Sequence, residues 1–326
     1  MTPQTATDEP VGRTARLLAL RDRIPSWAWP VVRAAALVAV VGVVADVGAH
    51  NYSSVRHLSL SVHPFWFTAV VPASLLAGLL MPLGWRRLLV AYGHRVEVGA
   101  ALRIWWTAQI TRYVPSGTAA LATRVVLAGR EGVSRWLAGA SLPIEVAIIV
   151  GWSALLTGAL LPSAFLPVWA RALLSVSAAG ALAVFPVLLR GAGRIVRRMP
   201  DLSPSGAPDV YGSVALYGLN ALARSAAFAA LAAAILPVHW SDVALLMGAF
   251  NAGSAAGLVS IAPGGLGVRE GVLTLILRSR YGFGDAAALA VVLRAWDLCV
   301  DCVWLVTARL AARIRQRRDP VVVSPG

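Results

Sequence analysis

Charge is what this sequence has least of. Only 13% of its 326 residues are charged, about half of the roughly 25% found in a typical soluble domain. Hydrophobic residues make up 58%, and the mean hydropathy is +0.71. A chain of this composition leaves no room for a separate soluble catalytic domain, and it predicts a polytopic membrane protein.

Lysine is absent altogether, so the net charge of +14 rests on arginine. The arginines cluster between the apolar runs, which is where the positive-inside rule places basic residues. The basic balance is therefore explained by membrane topology, and we expect no nucleic-acid partner.

Cysteine and histidine are also too scarce to suggest redox or metal chemistry. Cys299 and Cys302 form a C-x-x-C, but they lie one turn apart in a predicted membrane helix, where apolar packing is the default role. The five histidines show no metal-ligand spacing. We expect neither a metal nor a cofactor, and no nucleophilic triad is readable.

The apolar runs predict an all-α transmembrane bundle of roughly six to eight spans with broken or re-entrant helices. Residues 1–29 are polar and lack the apolar core of a signal peptide, which indicates a cytoplasmic leader. Residues 30–310 form the predicted transmembrane domain, and residues 311–326 form a basic cytoplasmic tail. An even number of crossings then places both termini on the cytoplasmic side of the cell membrane.

The individual spans follow from the apolar runs between the arginine clusters. They are predicted at about 30–49, 64–84, 136–161, 172–189, 213–236, 242–261 and 285–308. The arginine-rich segments 85–95 and 190–209 should be cytoplasmic, like the leader and the tail. Whether 266–281 crosses the bilayer or dips back is left open.

Two segments interrupt the apolar pattern with proline and glycine. They read RYVPSGTAALATR (112–124), within a predicted broken or re-entrant helix pair over 98–128, and IAPGGLGVREG (261–271). Irregular backbone at membrane depth survives only against protein or a water-filled cavity. Interrupted helices in both halves of a transporter point to its substrate site. The alternative is that both segments are ordinary turns between spans.

Charged residues inside the predicted spans give the second signal. Each costs at least about 2.5 kcal/mol at a helix centre, so they should face one another or water. Arg294, Asp297 and Asp301 share one face of the last helix and can pair along it, in a substrate site or in a structural ion-pair ladder. Asp46 also falls within an apolar span. The candidate substrate-binding residues are Arg112, Arg124, Glu145, Arg224, Gly264, Gly265, Gly267, Arg269, Glu270, Arg294 and Asp297.

Four motifs occur in an order that resembles one known family. They are WRRLL (85–89), RYVPSG followed by Arg124, LPIE ending at Glu145, and APGGLGVREG near the C-terminus. Together they resemble the lysylphosphatidylglycerol synthase transmembrane-region family of flippase-like integral membrane proteins, over most of residues 30–310. The resemblance implies lipid handling, because in two-domain relatives this part moves aminoacylated phosphatidylglycerol across the bilayer. The soluble domain that makes that lipid is not expected here, since the chain ends at Gly326.

Three functions remain open from the sequence. The leading hypothesis is a non-enzymatic protein that binds and translocates a lipid with an anionic or glycosylated head group, with Arg124 and Arg269 contacting phosphate or stabilising the broken helices. The second is a lipid-modifying transferase using Glu145 and Asp297 as a loose carboxylate pair. The third is a non-transporting subunit that recruits a cytoplasmic lipid-modifying enzyme. The oligomeric state is left open.

Overall fold

The structure is a computed structural model that describes residues 63–111, 119–195, 202–203, 205–260, 265 and 267–318. These ranges are helical apart from short turns and contain no strand, which confirms the all-α prediction. The predicted first span at 30–49, Asp46, Arg112 and Gly264 lie outside the described residues.

Ten α-helices account for nearly all of the described ranges. They are α1 (Phe67–Ala91), α2 (Val98–Thr111), α3 (Ala119–Arg130), α4 (Arg135–Leu160), α5 (Val168–Ala183), α6 (Phe185–Ile195), α7 (Ala207–Ile235), α8 (Val243–Val259), α9 (Val268–Tyr281) and α10 (Phe283–Arg318). Short 3-10 turns at Pro64–Trp66 and Trp240–Asp242 precede α1 and α8.

Two hydrophobic cores mark the two ends of the bundle. We call them the Pro64 end, where His63 N–H donates to the Ala234 carbonyl (3.1 Å), and the Tyr92 end, where Ser203 N–H donates to the Ala91 carbonyl (3.0 Å). The Pro64 core includes Val70, Leu161, Phe228, Leu245, Leu277 and Ala286. The Tyr92 core includes Trp85, Ala100, Leu137, Phe185, Val210 and Ala308. The residue numbers show that α1, α7 and α10 each contribute to both cores and so run from end to end. Helix α4 starts in the Tyr92 core at Leu137 and ends directly before Leu161 of the Pro64 core.

The apolar helices confirm a multi-pass membrane protein. Four helices are long and apolar enough to cross a membrane: Pro64–Ala91, Arg135–Leu160, Ala207–Ile235 and Trp240–Val259. Helix α10, with 36 residues and a length of about 54 Å, also has the reach, but charged residues interrupt its apolar part. The total of roughly six to eight spans stays a prediction, because the first predicted span lies outside the described residues.

The span predicted at 172–189 contains a bend. The structure has two helices there, α5 and α6, bent by 63°, which count as one broken span at most. Pro186 explains the bend, since its ring has no N–H and clashes with the carbonyl four residues earlier in a continuous helix.

Helices α2 and α3 form a hairpin that enters from the Tyr92 end. Ala100 near the start of α2 and Ala128 near the end of α3 both belong to the Tyr92 core. Arg103 and Glu131 join the two arms through a 3.2 Å ion pair. The prediction of a broken, re-entrant pair over 98–128 is therefore confirmed for its described arms.

Helices α8 and α9 form a second hairpin, which enters from the Pro64 end. At its base Arg280 Nε donates to Asp242 Oδ1 over 2.8 Å. Near its tip a side chain on Gly265 would meet the Gly257 backbone at 2.9 Å. Helix α9 therefore returns alongside α8 to the end from which α8 started.

Two glycines of α8 allow this close return. A Cβ on Gly253 would lie 3.1 Å from the Arg269 carbonyl oxygen, and one on Gly257 would lie 3.2 Å from the Arg269 Cβ. The sequence analysis missed these glycines, although GSAAG (253–257) has the small-x-x-x-small spacing that brings membrane helices close together.

Candidate functional site: a polar cavity between two opposed hairpins

A cavity lies between the two hydrophobic cores. It has an empty volume of about 590 Å³, part of which is open to the surroundings. Its polar lining consists of Ser74, Gln109, Asn220, Arg224, Asp297 and Asp301. Its aromatic lining consists of Trp105, Trp106, Phe228, Phe250 and Trp296. Polar groups gathered in this way inside an apolar bundle are characteristic of a substrate path.

The cavity lies near the middle of the predicted membrane thickness. At 1.5 Å per residue, Asp297 is about 21 Å along α10 from Phe283, and Arg224 is about 16 Å from the Ile235 end of α7. Half of a typical hydrocarbon core is about 15 Å. A charged site is therefore maintained where charge is most costly.

Asp297 joins three helices at one wall of this cavity. Its Oδ1 accepts from Arg224 Nη2 on α7 and its Oδ2 accepts from Arg269 Nη1 on α9, each over 2.8 Å. The Phe250 ring centroid lies 5.1 Å from the Arg269 guanidinium carbon and 5.7 Å from that of Arg224. The aromatic face adds cation–π attraction to both arginines. The prediction grouped these residues as site candidates, and the fold brings them together.

Arg269 is bound to Asp297 but does not use all of its hydrogen-bond donors. Its side chain is only 12% exposed, and its Nε and Nη2 nitrogens are buried without a hydrogen-bond partner in the described part of the chain. Buried charged donors without acceptors carry a free-energy penalty of at least about 1–3 kcal/mol. An incoming acceptor that reached these nitrogens would relieve that penalty.

Glu270 and the glycines shape the start of α9. Glu270 Oε2 accepts from the Gly267 N–H over 2.8 Å, as an acid at the third helical position does in a capping box. Its Oε1 lies 3.9 Å from Arg294 Nη1. Gly265 and Gly267 have φ values of +68° and +80°, a backbone conformation that favours glycine. Glu270 thus fixes the helix start that presents Arg269.

Arg124 and Glu145 form a separate buried cluster. Arg124 Nη1 donates to Glu145 Oε2 over 3.0 Å, and Nη2 donates to the other carboxylate oxygen. The Arg124 guanidinium carbon lies between two indole rings, 4.3 Å from the centroid of Trp85 and 4.2 Å from that of Trp105. Trp85 is held in turn by its Nε1–H, which donates to Ser141 Oγ over 3.0 Å. This arrangement ties α1, α2, α3 and α4 together.

Trp105 connects the two clusters, because it stacks on Arg124 and also lines the cavity. Sequence reasoning missed Trp105, Trp106 and Gln109. Their signal was available, since they directly precede the break at 112–118 just as Arg269 directly follows the break at 261–266. It also missed Asn220, which donates to the Ala77 carbonyl over 2.7 Å; one asparagine in a long apolar helix gives little sequence signal.

No group of histidine, cysteine and acidic residues that could hold a metal occurs among the described residues. Cys299 and Cys302 are free thiols on the surface of α10.

Membrane-spanning helices, two hairpins that enter from opposite ends and a charged cavity at mid-depth define a polytopic membrane protein with an internal polar site. Residues 31–303 match the family described as lysylphosphatidylglycerol synthase TM region, and the chain belongs to that family, as its motifs predicted. No curated protein matches the chain. Family membership makes it a multi-pass membrane protein tied to lipid metabolism.

Proposed function

We propose that this protein binds a membrane lipid with an anionic or glycosylated head group in its central cavity and carries that head group between the two leaflets. The observation that supports the proposal is the polar cavity of about 590 Å³ at mid-membrane depth. A polar head group that crosses bare hydrocarbon loses its hydrogen bonds to water, at a cost of several kcal/mol for each group. A polar cavity replaces those bonds partway across.

The opposed hairpins support transport rather than simple binding. Interrupted helices arranged with inverted orientation are common in transporters, where movement of one part against the other exposes a central site to alternate sides. Here α2–α3 enters from the Tyr92 end and α8–α9 from the Pro64 end, and residues of both hairpins line the cavity. Each hairpin is thus placed to gate access from its own side.

The charged residues divide into two roles under this proposal. Arg224 and Asp297 line the cavity and contact the head group. Arg269 is not a lining residue, and it holds Asp297 in position through their ion pair. Arg124 and Glu145 hold the re-entrant α2–α3 hairpin against α1 and α4. Glu270, with Arg294 nearby, sets the start of α9.

Under this proposal, the protein is not an enzyme. A transferase would use Glu145 and Asp297 as its carboxylates, but Arg124 binds the first and Arg224 and Arg269 bind the second. A carboxylate held by arginine is a weak general base. The third hypothesis, a recruiting subunit, would use the arginine-rich Tyr92 end.

We also propose that the Tyr92 end faces the cytoplasm and that the protein resides in the cell membrane with both termini inside. Arg86, Arg87, Arg95 and Arg103 lie at or near that end, in keeping with the positive-inside rule. In the linker, Ser203 lies beside Ala91 at the same end.

The test is transport of fluorescent lipids by purified protein in proteoliposomes, read by quenching from outside. We expect faster exchange of at least one anionic or glycosylated lipid with wild-type protein, and loss of this activity in Arg269→Ala. Arg87→Ala is the matched control, because Arg87 forms an exposed ion pair with Asp209 at 2.7 Å, away from the cavity lining. Rates equal to protein-free vesicles across a broad lipid panel would refute the proposal.

Two further measurements address the rival functions. Turnover of a radiolabelled donor lipid by the purified protein would favour a transferase. Copurification of one stoichiometric soluble enzyme, with no lipid exchange by the protein alone, would favour a recruiting subunit.

A further inference from the structure

We infer that the cavity is built for a neutral sugar, so that the lipid handled is a glycolipid whose sugar occupies this site. This inference rests on the proposed function and narrows its substrate. It follows from the charge, the hydrogen-bonding groups and the aromatic walls of the cavity.

The charges around the cavity leave no excess of positive charge. The charged lining residues are Arg224, Asp297 and Asp301, with a formal sum of −1. Arg269, bound behind Asp297, brings this sum to zero. The nearby Arg294–Glu270 pair is neutral as well. A phosphate dianion or a bare anionic head group would enter a site whose arginines are already balanced by acids.

The same charges do not suit a cationic head group. Both oxygens of Asp297 accept from arginines at 2.8 Å, so this carboxylate is already neutralised. Arg224 and Arg269 together balance Asp297 and Asp301, so no net negative charge is left to attract a cation. Arg224 lies in the cavity wall and repels an ammonium group at close range. A guest that is neutral and both donates and accepts hydrogen bonds meets neither penalty.

The uncharged polar residues of the lining both donate and accept hydrogen bonds. Gln109 and Asn220 each carry an amide with donors and an acceptor, as sugar hydroxyls do. Asn220 Nδ2 donates to the Ala77 carbonyl over 2.7 Å, which fixes the orientation of its amide. Ser74 Oγ accepts from Trp296 Nε1 over 2.9 Å, so a hydroxyl and an indole are oriented together in one wall.

Aromatic rings next to the polar lining residues are the second feature of the cavity that suits a sugar. Trp105 and Trp106 are 5% and 4% exposed, and the Nε1–H of each is buried without a hydrogen-bond partner among the described residues. Indoles combine an apolar face with one donor. Trp105 already stacks on Arg124 and Trp106 on Trp304, so each indole offers the cavity its remaining ring surface and its N–H. A pyranose ring has apolar C–H faces and polar hydroxyl edges that match these two features.

The test is competitive retention of lipids by wild-type protein in nanodiscs, measured by native mass spectrometry. The lipids are glucosyl-diacylglycerol, phosphatidylglycerol and lysyl-phosphatidylglycerol with identical acyl chains, in equal amounts. The protein is purified without maltoside or glucoside detergents, because their sugars would compete. We expect glucosyl-diacylglycerol to be retained at least tenfold more than either phospholipid. Displacement by soluble methyl glucoside shows that the sugar itself is recognised.

Two variants locate the effect. Gln109→Leu and Asp301→Asn, which change two polar lining residues, should each lower glucosyl-diacylglycerol retention about tenfold. Trp169→Phe is the control, since Trp169 is 71% exposed on the outer surface of α5.

The outcomes separate this inference from the proposed function. Retention and transport of phosphatidylglycerol or its lysyl form, equal to or above the glucosyl lipid, overturn the inference and leave the transport function standing. Failure to retain or move any lipid of the panel overturns both.

Discussion

The buried ion pair between Arg124 and Glu145 allows a sharp prediction about stability. The two side chains are 6% and 3% exposed and share two hydrogen bonds. The perturbation is a double-variant cycle with Arg124→Met, Glu145→Leu and both together. The design asks whether the pair is a structural clamp on the α2–α3 hairpin.

The structure sets the order of the three variants. Removing one partner of a buried pair leaves an uncompensated charge and costs roughly 3–5 kcal/mol. Glu145→Leu should fall in this range, because Arg124 keeps its place between Trp85 and Trp105. Arg124→Met should cost more, since it also removes two cation–π contacts worth roughly 1–2 kcal/mol each. The double variant loses the contacts but leaves no stranded charge, so it should cost less than either single change.

The assay is equilibrium unfolding in mixed micelles, followed by far-ultraviolet circular dichroism. The control cycle uses Arg87→Ala and Asp209→Ala, an ion pair in which Arg87 is 52% exposed. Pairs this exposed typically contribute less than about 1 kcal/mol. Single variants of the buried pair that unfold like wild type, or a double variant whose cost is the sum of the singles, would refute the clamp. A stable double variant then shows whether lipid transport needs Arg124 itself.

Three further predictions address the second hairpin and the topology. Gly265→Ala should abolish folded, monodisperse protein, because φ at Gly265 is +68° and the new Cβ would meet the α8 backbone at 2.9 Å. The control is Gly271→Ala, whose Cβ would have nothing within 4 Å, and this variant should elute normally in size-exclusion chromatography. Arg269→Lys should fold but transport lipid at least tenfold more slowly than wild type, since a lysine keeps a charge near Asp297 and loses the planar fork of donors; wild-type transport by this variant counts against a role for that fork. A cysteine introduced at Ser205, an exposed position, should react with an impermeant maleimide only after cells are permeabilised, and labelling of intact cells would contradict the proposed orientation.

Much of the helix content was predictable from the sequence, because long apolar runs between arginine clusters have one common explanation. The described span at 136–161 appears as Arg135–Leu160, and the broken pair over 98–128 appears as α2 and α3. The bend in the span predicted at 172–189 was missed because the apolar composition of the segment received more weight than Pro186. Hydropathy averages over a window, while one missing N–H acts at a single peptide unit.

The partners of the charged residues were less predictable. The spacing of Arg294, Asp297 and Asp301 suggested pairing along one helix face. In the structure Asp297 binds Arg224 and Arg269 on two other helices, and Arg294 lies near Glu270. Spacing within a helix identifies residues that share a face, but it carries no information on which helix lies opposite. For the same reason, the stacking of Arg124 between Trp85 and Trp105 could not be predicted from the sequence.

The opposite directions of the two hairpins are the strongest support for the proposed function. These directions could not be predicted from the sequence of either break alone. Both breaks have proline, glycine and flanking arginine, yet α2–α3 closes on the Tyr92 core and α8–α9 closes on Asp242 at the Pro64 end. If both hairpins entered from one end, the cavity between them would serve one leaflet. Because they enter from opposite ends, each hairpin lies on its own side of the cavity, and under the proposed transport function a movement of either hairpin changes access from that side. Under the same proposal a head group in the cavity is never required to enter bare hydrocarbon, which is the physical condition that lipid translocation has to meet.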